Sequence, residues 1–217
     1  MVRIPEEYQE VEYIESTGTQ YIELPFGFLD TDEIKIVACE MTMENDKFMV
    51  APLKWETTRR FAMVGSYGGK FSIGFGTRGT SSAFYLPKQV PDTKVHIWTY
   101  KNKIFSIIDL NAFYEWQEGS VTKATANLRL FYGYNAPSKG RIYSYYHKKV
   151  DENEINLIPC YRKSDNEIGM YETVSKTFYP NSGTGTFLKG HNVYYNSINL
   201  LEQRRKILLN TPHLKTI

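Results

Sequence analysis

The sequence predicts an all-β protein in which two antiparallel sheets enclose one core, and three observations carry that reading. Aromatic residues make up 15% of the chain, with 17 Tyr and 12 Phe, and together with Val, Ile and Thr they suit a half-buried pleated surface. Short apolar or alternating runs recur along the chain, divided by polar and glycine turns. The length, 217 residues, is within reach of a single all-β domain, and a hydrophobic share of 41% is enough to fill the space between two sheets.

The elements follow in order. Tyr8–Glu15 and Thr19–Leu24 flank Ser16–Thr17–Gly18, a strand–turn–strand start that places Glu10 and Glu12 toward solvent. Pro25–Asp32 is expected as a loop. Glu33–Met43 is apolar on both faces, with Ile34, Ile36 and Ala38 against Val37, Cys39 and Met41, which predicts a central strand. Phe48–Ala51 and Phe61–Gly65 are separated by the charged Lys54–Arg60 segment. Phe71, Ile73 and Phe75 alternate with Lys70, Ser72 and Gly74, the period of a sheet with one wet face. Lys94–Lys101 sets Val95 and Ile97 on one face and Trp98 and Tyr100 on the other. Asn102–Lys103 then reverses the chain into Ile104–Ile108, and Asp109–Leu110–Asn111 is a second tight turn before Ala112–Trp116. Leu128–Tyr132 and Arg141–His147 flank the Asn135–Gly140 loop.

The closing stretch, Leu157–Gly190, combines a strand, a polar Ser164–Asp165–Asn166 turn, the run Ile168–Tyr171, the aromatic return Phe178–Tyr179 and the turn Asn181–Gly185 before Phe187. Pro159–Asp165, Gly169–Met170–Tyr171 and Gly183–Phe187 resemble the closing signature of a concanavalin A-like (laminin-G-type) jelly-roll family, found in bacteriophage virion proteins and in surface proteins of Gram-positive bacteria. That family closes with a relative of "PCYRKSD…GLYD…FYTNAGTGTF". Its opening strand pair is matched by Pro5–Ile22, so the two stretches bracket roughly residues 5–190. The resemblance implies a two-sheet antiparallel jelly-roll sandwich over residues 1–190. One fold hosts many activities, so it implies far less about function.

Residues 191–217 differ in kind. Asn196 or Ser197 can cap a helix, Ile198, Leu201 and Leu208 recur at helical spacing, and Glu202 precedes Lys206 by four residues, which predicts a short amphipathic C-terminal helix. Such a helix needs a surface to pack on. The choices are its own sandwich or a neighbouring subunit, and Ile198, Leu201, Arg204 and Leu208 are the candidate assembly residues.

Composition excludes several classes. The 26 basic and 24 acidic residues nearly cancel, for a formal +2, and give no reason to expect nucleic acid or an anionic membrane as a partner. No run approaches the roughly 18–20 apolar residues of a membrane span. Met1–Glu7 has no apolar core of the kind a signal peptide requires, which favours a virion protein assembled in the host cytoplasm over an exported surface protein. Two cysteines allow at most one disulfide. Free thiols are the favoured reading, with Cys39 packed as a small hydrophobe and Cys160 facing either side.

The search for chemistry finds little. Gly74–Gly79 spells G-x-G-x-x-G, but a loop and strand reading follows it instead of the helix a dinucleotide site needs. Relatives of the fold include retaining glycosidases, which set paired acids on alternate positions of one strand. The nearest match is Glu44–Asn45–Asp46, with no third acid. His96 reads as a satisfied sheet residue, and His147, His191 and His213 form no pair at ligand spacing. No cofactor is expected. Calcium is the one ion the resemblance leaves open, with Asp30, Asp32 and Asn45–Asp46 as candidates.

Aromatic side chains are the remaining signal, since sugars bind flat ring faces beside hydrogen-bonding groups. Trp55 and Trp116, near charged loops, and Tyr143 and Tyr145, read as sharing one strand face opposite Tyr146, are the candidate carbohydrate-binding residues. The functional expectation is a non-enzymatic virion protein: a head-decoration, head-fibre or tail-appendage component partnered by other virion proteins. The alternative is a module recognising host glycans, with a glycoside hydrolase third. A homo-oligomer is left open.

Overall fold

The computed structural model of the chain describes residues 4–42, 47–52, 60–67, 69–76, 83–85, 92–115, 123–124, 126–133, 136–149 and 154–194. Among these the fold is all-β, with one 3-10 turn at Ile108–Leu110 and no α-helix. The helix expected after Asn196 lies outside the described residues, as do Trp55, Trp116 and Glu44–Asp46.

Two antiparallel sheets carry the fold. The larger has eleven strands, and its central path runs Ala112–Glu115, Ile104–Ile107, His96–Lys101, Glu33–Glu40, Lys139–Lys148, Glu154–Arg162, Ile168–Glu172, Thr177–Pro180. Tyr8–Glu10 joins it on Glu154–Arg162, Ile14–Thr17 on Lys139–Lys148, and Leu188–Lys189 on Ile14–Thr17. The smaller has six strands, in the order Ile22–Glu23, Leu128–Leu130, Lys47–Pro52, Arg60–Tyr67, Lys70–Gly76, Ala83–Tyr85. Residues of both sheets meet in one buried cluster: Ile36, Trp98 and Tyr145 from the larger, Val50, Met63 and Leu130 from the smaller. Ring contacts cross the same space, with Phe71 edge-on to Trp98 at 5.2 Å and Phe61 edge-on to Tyr100 at 5.8 Å.

The central-strand prediction holds. Glu33–Glu40 lies between His96–Lys101 and Lys139–Lys148, with both faces buried only in its second half, where Val37 and Cys39 join Ile36 and Ala38, while Glu33 and Lys35 stand on the outer face. The Asn102–Lys103 reversal also holds, with both residues at positive φ (50° and 65°), as a tight two-residue hairpin turn requires. Two local readings are corrected. Tyr8–Glu15 is interrupted at residues 11–13, and Glu10 is 3% exposed, because its strand pairs against Cys160 instead of lying at a wet edge. Lys139–Lys148 carries a bulge between Ile142 and Ser144, so Tyr143 is an extra residue opposite Val37–Ala38. The bulge breaks strict alternation. Ile142 and Tyr145 both point into the core, and Tyr143 and Tyr145 do not share a face.

Candidate functional site

The two stretches that carry the family resemblance lie together. Tyr8, Gln9 and Glu10 pair with Arg162, Tyr161 and Cys160, and the Val11 amide donates to the Pro159 carbonyl at 3.0 Å. Further along, Ser182 N–H donates to the Tyr21 carbonyl at 2.8 Å and Thr184 N–H to the Thr19 carbonyl at 3.0 Å. Asn181 pins this junction with its side chain. Its Oδ1 accepts from the amides of Tyr21 and Gly183, and its Nδ2 donates to the Gly185 carbonyl. Glycine is required at 183 because a Cβ there would stand 2.1 Å from the Thr19 carbonyl oxygen. The bonding continues past Gly190: Glu12 N–H donates to the His191 carbonyl and Val193 N–H to the Glu10 carbonyl. Residues 191–193 thus bond back to residues 10–12 through an isolated antiparallel bridge at Val11–Asn192. We call this whole junction the clasp.

The carbohydrate candidates separate. Tyr145 is fully buried and its hydroxyl lies 3.0 Å from His147 Nδ1, so no sugar can reach its ring, and that assignment is corrected. Tyr143 is half-buried on the outer face, its ring 5.1 Å from that of Tyr13. Arg141 stacks over Tyr13 at 4.7 Å, donates to Glu15 and hydrogen-bonds Tyr143. Burial pushes the Tyr143 phenol up, with the Arg141 hydrogen bond opposing it.

The buried and half-buried acids are held by internal partners. Asp32, wholly buried, accepts from the Leu29 amide and stands 2.8 Å from His147 Nε2, so its bonded oxygen is not available to calcium. The other oxygen, Oδ1, has no partner among the described residues. Asp30 lends its carbonyl to the Tyr100 hydroxyl at 2.7 Å. Among the described residues no group of three or more His, Cys, Asp or Glu side chains could hold a metal ion. His96 is clamped between carboxylates, Nδ1 2.6 Å from Asp109 and Nε2 2.7 Å from Asp92. Around Asp92, burial pushes the carboxyl up, but the Lys94 amide and His96 outweigh it and hold it below the usual range. Both thiols are free and buried, and burial pushes Cys39 up to about 11 and Cys160 up to about 12.

The outer face of the large sheet has features the sequence reading missed. Cross-strand register sets its side chains in transverse rows. One row is a ladder of alternating charge: Lys101 pairs with Glu33 at 2.9 Å, Glu33 sits opposite Lys148, and Lys148 lies 3.6 Å from Glu154. The adjoining row runs Phe113, Ser106, Thr99, Lys35, Tyr146, Asn156, one residue from each of six neighbouring strands. The signal for it was the two-residue alternation of each strand. The row itself joins positions up to 121 apart and needs the register.

No protein-family model, curated protein or solved structure matches the chain. Among the described residues no helix is long and apolar enough to cross a membrane.

Proposed function

We propose that the chain is a non-enzymatic structural protein of a bacteriophage particle, a head-decoration, head-fibre or tail-appendage component built as a concanavalin A-like jelly roll. The observation that carries this reading is the clasp. Two stretches some 150 residues apart, chosen only because they resemble the ends of that family's domain, form one hydrogen-bonded unit. Residues that meet in this way define a frame, which suits a protein whose task is to hold a rigid sandwich in place. The engagement of Glu15, Asp32, Asp92, Asp109 and Glu172 with internal partners supports a non-catalytic role.

The test is a mass-spectrometric inventory of purified particles, with the full chain and with a chain ending at Tyr194. The full chain is expected in the particles at a fixed stoichiometry. The truncated chain, which keeps the clasp intact, is expected to fold and stay in the lysate. Absence of the full chain from particles overturns the reading. A second reading, glycan recognition, is favoured by the half-exposed Tyr143 beside Tyr13 and Arg141.

A further inference from the structure

We infer that the row Phe113, Ser106, Thr99, Lys35, Tyr146, Asn156 on the outer face of the large sheet is a binding platform for an extended, sparsely acidic oligosaccharide. The inference rests on the glycan-recognition reading and moves the site away from Tyr143.

Three properties of the row carry it. First, three of its polar groups are unspent, while the Tyr146 hydroxyl is hydrogen-bonded to Glu154. Lys35, Thr99 and Ser106 make no side-chain hydrogen bond or ion pair with another described residue, although all three stand in the middle of a sheet. Lys35 is half-buried, and the nearby Glu33, whose charge favours that of Lys35, is ion-paired with Lys101. Second, the row ends in an aromatic ring with no place in the core: Phe113 is 62% exposed on the outermost strand among the described residues, and Ile104 on the neighbouring strand is exposed as well. An apolar ring next to hydroxyl, amide and ammonium groups matches the two kinds of surface a sugar presents. Third, the backbone in the middle of the sheet has no donors left, because its N–H and C=O groups serve the ladders. A peptide strand adding to an edge uses such groups, so it would not lie across this row.

Magnitudes choose among polymers. With strands about 4.8 Å apart, six of them span roughly 24 Å. A nucleic acid strand places a charge about every 3.4 Å, so roughly seven phosphates would lie along that length. The row offers one cation, and the next row cancels itself in the Lys101–Glu33 and Lys148–Glu154 pairs. One positive charge over that distance suits a largely neutral chain carrying a single carboxylate.

The test is calorimetric titration of the purified full chain with 3′-sialyllactose and with lactose, a pair that differs by one acidic sugar, alongside a glycan array. Sialyllactose is expected to bind at least fivefold more tightly. Lys35→Gln should bring that ratio to about one, Lys35→Arg should restore it, and Phe113→Ala should weaken both sugars about tenfold, each variant being checked for an unchanged unfolding midpoint. An unchanged ratio in Lys35→Gln, or tighter binding of a thymidine oligonucleotide or a tetraglutamate peptide, overturns the inference. Array binding that survives both Lys35→Gln and Phe113→Ala also overturns this platform but leaves glycan recognition standing. A silent array with no heat from either sugar removes both.

Discussion

The clasp borders the large sheet whose outer face carries the platform, yet their side chains are used in opposite ways. In the clasp, polar side chains are turned back on the backbone. Asn181 serves three backbone groups, Gln20 Oε1 accepts from the Thr17 amide, and Gly183 lets two segments approach more closely than any side chain would allow. On the platform, Thr99, Ser106 and Lys35 have no such engagement, and Phe113 stands in water. A polar group already bonded within the chain has little left for a ligand, whereas one left over in a rigid sheet is available without reorganisation. The family-like residues are thus the architecture, and any recognition has to be sought elsewhere.

The sharpest way to break this distinction is Gly183→Val. A Cβ within 2.1 Å of the Thr19 oxygen must push residues 19–21 and 182–184 apart, with loss of the Ser182–Tyr21 and Thr184–Thr19 bonds. The expected loss is about 3 kcal/mol in a denaturant titration, the upper end for overpacking. The adjacent exposed Ser182→Ala should stay within about 0.5 kcal/mol. Equal midpoints for Gly183→Val and the parent chain would mean the clasp does not hold the fold.

Glu172 sharpens the comparison with pH. Its buried carboxylate accepts from the amides of Asn156, Val174 and Ser175, tying Glu154–Arg162 to the turn that follows Ile168–Glu172. Burial alone would raise its carboxyl, but a hydrogen bond from the Ser175 side chain and the three amides outweigh it and hold it below its ordinary value of 4.5. A group depressed in the folded state contributes its stability in full above the unfolded value, near pH 4.5, and loses it as pH falls through the lower folded value. Stability should therefore drop on acidification below that point. Glu172→Gln should cost about 2 kcal/mol at neutral pH and flatten the acid slope. An acid slope unchanged in the variant would assign that loss to other carboxylates.

Asp109 is expected to matter less, because it holds a turn and not the frame. It accepts from the Ile97 amide at 2.9 Å and faces His96 Nδ1. Asn at this position keeps one acceptor but sets an amide N–H against the imidazole N–H. A loss of about 1.5 kcal/mol by thermal or chemical unfolding is expected, and a neutral result would mean the Asp92 contact alone secures the histidine.

How much of this was legible in the sequence depends on whether the cause was local. The two-residue reversal at Asn102–Lys103, the central position of Glu33–Glu40 and the Trp98–Tyr100 core face follow from neighbours in the chain, and the structure bears them out. Tyr145 was misread because the bulge at Tyr143 shifts every later side chain by one face, and no residue in Ile142–Tyr145 announces it. Glu10 was misread for a different reason: an alternating acid looks solvated unless the opposite strand, 150 residues away, is known. The platform was invisible for the same cause, since Phe113 and Asn156 fall in one row only through four intervening strands.

Phe113→Ala should be the mildest change to the fold, and its mildness is informative. Its strand pairs only with Ile104–Ile107 among the described residues, and the ring itself sits opposite Ser106, a small residue that can cover little of it. With 62% of the residue still in water, little apolar area is lost on truncation. The expected change in unfolding free energy is within about 0.5 kcal/mol, as for surface positions generally. A loss above about 1.5 kcal/mol would show that the ring holds the sheet edge and belongs with the clasp as architecture. A neutral result leaves the protein maintaining a large exposed ring that its own stability does not need, and such a ring is explained by what it touches.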